Sequence, residues 1–188
     1  MKVLLSNATI FDPASKFHQK KSDILIEDGA IAAIGKGLSA KKTIDCTKKT
    51  IFPGFVDLFA HFNDPGFEHK EDLASGSRTA IAGGFTDVLL VPNNQPVTET
   101  KSDVEYLRTR SRFGVDLWPM AAVSEGALGE NLTEILDLHT AGAKAFSDGT
   151  NGIWNTELLL KALQYVQKFD GLIINRPKDR HLSQHTHM

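Results

Sequence analysis

Cysteine is nearly absent from this 188-residue chain: Cys46 is the single one, so no disulfide can form within it. A disulfide-stapled extracellular scaffold is excluded, and a reducing compartment is the expectation. Long apolar runs are missing as well. The longest span only a few residues, far below the ~18 required to cross a bilayer. The opening MKVLLSNATIF has neither a long apolar core nor a small-residue cleavage site, which points to a cytoplasmic protein with no membrane role. Charge of one sign is also lacking. Lys and Arg number 21 against 23 Asp and Glu, a net charge of −2, and the Lys pairs at 20–21, 41–42 and 48–49 are scattered among acids. That balance excludes a nucleic-acid footprint. What remains is an apolar share of 41% with 15 glycines, an ordinary globular composition.

The first fifty residues read as β-structure. Lys2–Asp12 and Ser22–Glu27 have strand patterns, Asp28-Gly29 is a hairpin signal answered by Ala30–Gly35, and Thr43–Asp45 and Thr50–Phe52 add short extended pieces. The expected unit is a small antiparallel one, residues 1–52, closed by Pro53-Gly54.

From Phe55 the period changes. Apolar runs begin near Phe55, Thr86, Val115, Ala143 and Gly171, at separations of 31, 29, 28 and 28 residues, the length of one strand plus one helix. Helical patterns fill the gaps. The first, near Glu71–Ala82, stops at Gly83-Gly84. Ser102-x-x-Glu105 and Asn131-x-x-Glu134 match the capping box, and Asn155 or Thr156 can cap Glu157–Gln167, whose Leu159, Leu163 and Val166 share a face. Alternation at this spacing predicts right-handed βαβ units around a parallel sheet, whose functional groups gather at the C-terminal strand ends. Those ends read His61-Phe62-Asn63-Asp64, Pro92-Asn93-Asn94, Ser124-Glu125, Ser147-Asp148 and Asn175-Arg176.

The segment from Pro53 to Gly66, with Phe67–Leu73, Ala82–Thr86 and Val91–Pro96, closely resembles the dihydroorotases of the amidohydrolase superfamily. The resemblance implies an α/β fold: the first half of a (β/α)₈ TIM barrel over residues 53–188, preceded by a small β-sandwich unit. A closed barrel of this kind takes about 250 residues. The 188 residues hold four complete βα units and the start of a fifth, so a piece of a longer polypeptide is the favoured expectation. A half supplied by another copy, or a departure from the barrel, are the other two.

The implied activity is the reversible hydrolysis of dihydroorotate to N-carbamoyl-aspartate in pyrimidine biosynthesis. Zinc would supply a hydroxide and polarise the carbonyl. In such enzymes the first barrel strand ends in His-x-His-x-Arg, because residues two apart on a strand face one side and can share a metal. Here the strand reads Phe59-Ala60-His61-Phe62-Asn63. The resemblance therefore leaves His61 and Asp148 as metal ligands, with Asn63 and Asn93 at substrate-contact positions. Phe59 and Asn175 stand where two histidines are expected, and Asn63 stands in for arginine. A zinc-dependent hydrolase with an altered metal site is one reading. Another is a non-catalytic structural partner of a further pyrimidine enzyme such as aspartate transcarbamoylase, or a homo-oligomer. A small-molecule binding module keeping the old cleft is the third. The loop Glu68–Lys70, both tryptophans, and His181, His185 and His187 carry no sharper expectation.

Overall fold

A computed structural model describes residues 1–110 and 114–177. His181, His185 and His187, with the Lys178-Asp179 positions, lie outside the described residues. The chain divides into two compact units, Met1–Pro53 and Gly54–Met188.

The first unit is one five-stranded sheet built from β1 (Lys2–Ile10), β2 (Lys21–Glu27), β3 (Ala30–Gly35), β4 (Lys42–Asp45) and β5 (Thr50–Ile51), in the order β3-β2-β1-β4 with β5 also on β1. The β2–β3 turn is the one its sequence demands. Asp28 and Gly29 both take positive φ, 50° and 83°, which a two-residue turn of the favoured hairpin hand requires. The sheet is mixed rather than antiparallel, because β4 and β5 both run parallel to β1. Such short strands carry no local mark of direction, and only the course of the chain between β3 and β5 sets it.

The second unit carries the parallel sheet: β6 (Phe55–Ala60), β7 (Phe85–Leu90), β8 (Asp116–Ala121) and β9 (Ala145–Phe146), in chain order. The fifth apolar run joins as an extended segment. Phe146 N donates to Leu172 O at 2.9 Å, and Ile174 N donates to Phe146 O at 2.9 Å. Alternate residues face opposite ways, as strand geometry requires. Val88, Leu90 and Leu117 pack with Leu73 of α1 (Leu73–Ala82) and Leu107 of α2 (Lys101–Thr109). Ala121, Val123 and Phe146 pack with α3 (Ile135–Ala141) and α4 (Thr156–Val166) through Ile135, Leu138, Leu158 and Ala162. Leu89, Val91, Met120 and Ala145 form a separate cluster on the opposite face. Helices against one face of a four-stranded parallel sheet make the expected half-barrel.

Local signals are revised at all four helices. α1 begins at Leu73, capped by Asp72 in a reciprocal pair with Ser75. The capping box of α2 is Thr100 with Asp103, not Ser102 with Glu105: Asp103 N donates to Thr100 Oγ1 at 3.4 Å and Thr100 N to Asp103 Oδ2 at 2.9 Å. Asn131 does not cap α3, whose N-cap is Glu134 without a side-chain bond. Asn155 does cap α4, but the buried face is Leu158, Ala162 and Val166, and Leu163 is exposed. Thr100→Ala is expected to lower stability by about 1 kcal/mol with an unchanged denaturant m-value, measured by urea unfolding.

Trp118 Nε1 donates to Asp87 Oδ1 at 2.9 Å while Arg108 and Lys144 stack on its ring at 4.1 and 4.9 Å. Hydrogen bonds from Trp118 and Thr86 hold the Asp87 carboxyl below its usual range.

Candidate functional site

Every strand of the parallel sheet ends in polar residues on the same rim, and the rim is tied together across distant loops. Asp148, just past β9, is 1% exposed. Its Oδ1 accepts from Val123 N and Ser124 N, both at 3.0 Å, and its Oδ2 accepts from Ser124 Oγ at 2.6 Å. Ser124 Oγ in turn accepts from Gly129 N at 2.7 Å. Burial pushes the Asp148 carboxyl above its usual range, and these hydrogen bonds pull against that without overcoming it.

Asn93 links the second strand's loop to the same place. Its Nδ2 donates to Asp148 O at 3.1 Å, and its Oδ1 accepts from Thr150 N at 2.8 Å. Gly149 makes this approach feasible, since at φ 62° a Cβ there would lie 1.8 Å from Asn93 Oδ1. Asn175 Oδ1 accepts from Ile153 N at 3.0 Å. Asn93, Asp148 and Asn175 are thus all engaged with loop backbone.

The first strand's exit is arranged differently. His61 is exposed, and Asn63, at φ 62°, donates from Nδ2 to His61 O at 3.3 Å. Both line a groove of about 610 Å³ with Phe62, Lys70, Glu71 and Ala80. Phe59 is 44% exposed. Glu68 Oε1 accepts from Gly66 N at 2.9 Å, so the charged loop closes on itself, and that bond holds the carboxyl below its usual range. Trp154 Nε1 donates to Leu128 O at 2.9 Å at the rim.

Sequence reading missed the role of Asp64 and Tyr106. Asp64 is buried; its Oδ1 accepts from Tyr106 OH at 2.8 Å and its Oδ2 from Leu73 N at 3.3 Å. The pair pins the His61 loop to the start of α1 and to α2. Burial and the hydrogen bond to Asp64 raise the Tyr106 hydroxyl above its usual range. Its only local signal is a tyrosine on α2 between the buried Val104 and Leu107.

A zinc centre needs three or more His, Cys, Asp or Glu side chains converging on one point. Among the described residues no such group exists. At the expected positions stand a phenyl ring, Phe59, an amide whose oxygen already holds Ile153 N, Asn175, and a carboxylate that already accepts three hydrogen bonds, Asp148. An amide oxygen is in any case a poor zinc ligand beside imidazole. Among the described residues the donors at these positions do not by themselves make a zinc centre.

This rim on this half-barrel places the chain among the amidohydrolase folds. The L-hydantoinase (dihydropyrimidinase) of Arthrobacter aurescens superposes with a TM-score of 0.80 at 23% identity, over 96% of this chain and 41% of its own. A dihydroorotase crystal structure superposes at 0.63 and 18%, over 95% and 51%. At these identities the likeness concerns the fold alone. The model of the family described as dihydro-orotase-like matches residues 48–187, and the chain belongs to that family. The dihydroorotase of Syntrophotalea carbinolica is 37% identical over 95% of this chain and 43% of its own length. That of Solibacter usitatus is 36% identical over 97% and 43%. The chain therefore spans less than half the length of the curated relatives it matches.

Among the described residues no helix is long and apolar enough to cross a membrane.

Proposed function

We propose that this chain is a cytoplasmic dihydroorotase-family protein attached to pyrimidine biosynthesis, in which hydrolysis of dihydroorotate is weak or absent. The observation that carries the reading is the engagement of Asp148: both of its carboxylate oxygens serve as acceptors for the loop after β8. Phe59, Asn63 and Asn175 add to it by removing two imidazoles and a guanidinium from where the family pattern has them. Without the guanidinium a dicarboxylate loses a charge-assisted pair worth about 1.5–3 kcal/mol. Asn63 and Asn93 remain as substrate contacts, and His61 and Asp148 as the residual metal ligands. In the same reading residues 1–52 are the strands of a small β-sandwich.

Purified chain supplied with zinc is expected to retain less than one equivalent after gel filtration and to give no turnover of dihydroorotate above the zinc-only rate. The triple variant Phe59→His, Asn63→Arg, Asn175→His serves as the comparison. Turnover by the unmodified chain that disappears in His61→Ala would overturn the proposal. A non-catalytic role as structural partner of aspartate transcarbamoylase is supported by exposed apolar side chains such as Leu58, 58% exposed. Co-purification of the two as a stable complex checks it.

A further inference from the structure

Two loops meet at the rim, the one after β8 and the one after β9, and an asparagine is part of what joins them. Asn151 lies between β9 and α4, outside helix and strand. Its backbone N donates to Asp148 O at 3.1 Å, closing a turn, and its Nδ2 donates to Ala127 O at 3.1 Å. Ala127 is buried at φ 55°, left-handed backbone that an alanine keeps only where its surroundings impose it. The Asn151 amide is one such constraint. Beside it Trp154 Nε1 holds Leu128 O at 2.9 Å, and Asp148 grips Val123 and Ser124.

Asn151 is followed by Gly152, the single Asn-Gly pair in the sequence. Asparagine is among the thermolabile residues. Its weak point is the side-chain carbonyl carbon, which closes a five-membered ring with the next residue's backbone nitrogen. A glycine at that next position has no Cβ to hinder the approach and the widest backbone freedom to make it. An irregular loop permits the rotation that a helix or strand forbids. The other seven asparagines precede Ala, Asp, Asn, Gln, Leu, Thr and Arg.

We propose that Asn151 is a site of spontaneous deamidation, and that its conversion uncouples the loop after β8 from the loop after β9. Gly152 N loses its proton and forms a bond to Asn151 Cγ, the Cγ–Nδ2 bond breaks, and ammonia leaves with that proton. Water then opens the cyclic imide at one carbonyl or the other, giving aspartate or isoaspartate. Either product puts a carboxylate where the amide donated, so a donor facing Ala127 O becomes an anionic acceptor facing it. The new charge falls on the turn that begins at Asp148. Isoaspartate also lengthens the main chain of that turn by one methylene. Ring closure requires the Asn151 bond to Ala127 O to break first, so the rate follows how often the two loops part. The modification is independent of any hydrolysis at the rim.

Peptide mapping by mass spectrometry tests it, on the full chain held at mildly alkaline pH until a free peptide of residues 149–154 has fully converted. The mass gain of an amide-to-acid exchange is expected at Asn151 before any other asparagine, with isoaspartate among the products, and more slowly in Gly152→Ala. Asn151→Asp reads the consequence. The amides of Leu128 and Gly129, bonded to Glu125 O and Ser124 Oγ, are expected to exchange hydrogen about fivefold faster than in the parent, the change in open population from one lost hydrogen bond. Should Asn151→Asp fail to fold, exchange on the aged parent, resolved by mass into modified and unmodified chains, gives the same comparison. An Asn151 still intact when the free peptide is spent overturns the proposal, as does another asparagine that converts first or a Gly152→Ala chain that converts as fast as the parent. Unchanged exchange at Leu128 and Gly129 overturns the uncoupling.

Discussion

Asp148→Ala is expected to cost about 3–5 kcal/mol of folding stability, read as a lowered urea midpoint at constant m-value. Three donors lose their acceptor at once: Val123 N, Ser124 N and Ser124 Oγ, all on fully buried residues. Each unsatisfied buried donor costs roughly 1–3 kcal/mol, and the hydroxyl recovers part of its loss by rotating. Asp148→Asn should cost less, because its remaining oxygen still accepts both backbone amides. The pH dependence separates the charge from the hydrogen bonds. Burial raises the Asp148 carboxyl in the folded chain, so the folded state binds its proton more tightly than the unfolded state does. Stability from this group is therefore fully present below the unfolded value and declines as pH rises through the folded one. Asp45, Asp72, Asp87 and Glu157, whose carboxyls are held low by hydrogen bonds, act in the opposite sense. The informative quantity is thus the difference between the parent and Asp148→Asn, which is expected to shift in the variant's favour as pH rises from acid towards neutral. A difference independent of pH would mean that the carboxyl's burial is relieved by some partner at the rim.

The same residue shows where sequence reading stops. Asp148 is legible as a polar residue at a strand end, and the family pattern marks it as a ligand. Its partners lie 24 and 25 residues away on the preceding strand's exit, and no spacing rule announces that contact. The strand-plus-helix period is legible because it is local: Val88 and Leu90 alternate with Leu89 and Val91 across the sheet as strand geometry requires. The Asp28-Gly29 hairpin is legible for the same reason. Where two local readings compete, tertiary context decides. Thr100 and Asp103 form the reciprocal cap of α2 although Ser102 stands at the same spacing from Glu105. The α4 face turns by one position, to Leu158 and Ala162, because the sheet and α3 meet it from that side. The parallel pairing of β4 and β5 with β1 escapes prediction, since strands of four and two residues hold too little pattern to choose a partner or a direction.

Gly66→Ala is expected to remove about 3 kcal/mol and to disturb the rim more than the fold. Gly66 sits at φ 102°, where an L side chain is strained, and a Cβ there would lie 2.3 Å from Gln95 O and 2.7 Å from Gln95 Cβ. The nearest obstruction is backbone, so no rotamer change relieves it. Strain of this type costs about 1–3 kcal/mol, and a forced contact adds a similar amount. Gln95 belongs to the loop that carries Asn93, and Gln95 N donates to Pro65 O at 3.1 Å. The substitution therefore pushes apart two loops: the one holding His61 and Asn63, and the one whose Asn93 bonds Asp148 O and Thr150 N. Loss of that registry should appear as faster amide hydrogen exchange at Thr150 and Gln95. Val88 and Leu117, buried between the sheet and its helices, should keep their protection apart from the global loss. If exchange instead accelerates equally at all four amides, the glycine serves the whole unit and not the junction of these two loops. Gly129→Ala supplies the control: its φ of 77° imposes the same backbone strain, but the would-be Cβ meets the Trp154 side chain at 2.5 Å rather than backbone. Its effect is expected to be smaller and confined to the loop after β8, where Trp154 Nε1 bonds Leu128 O.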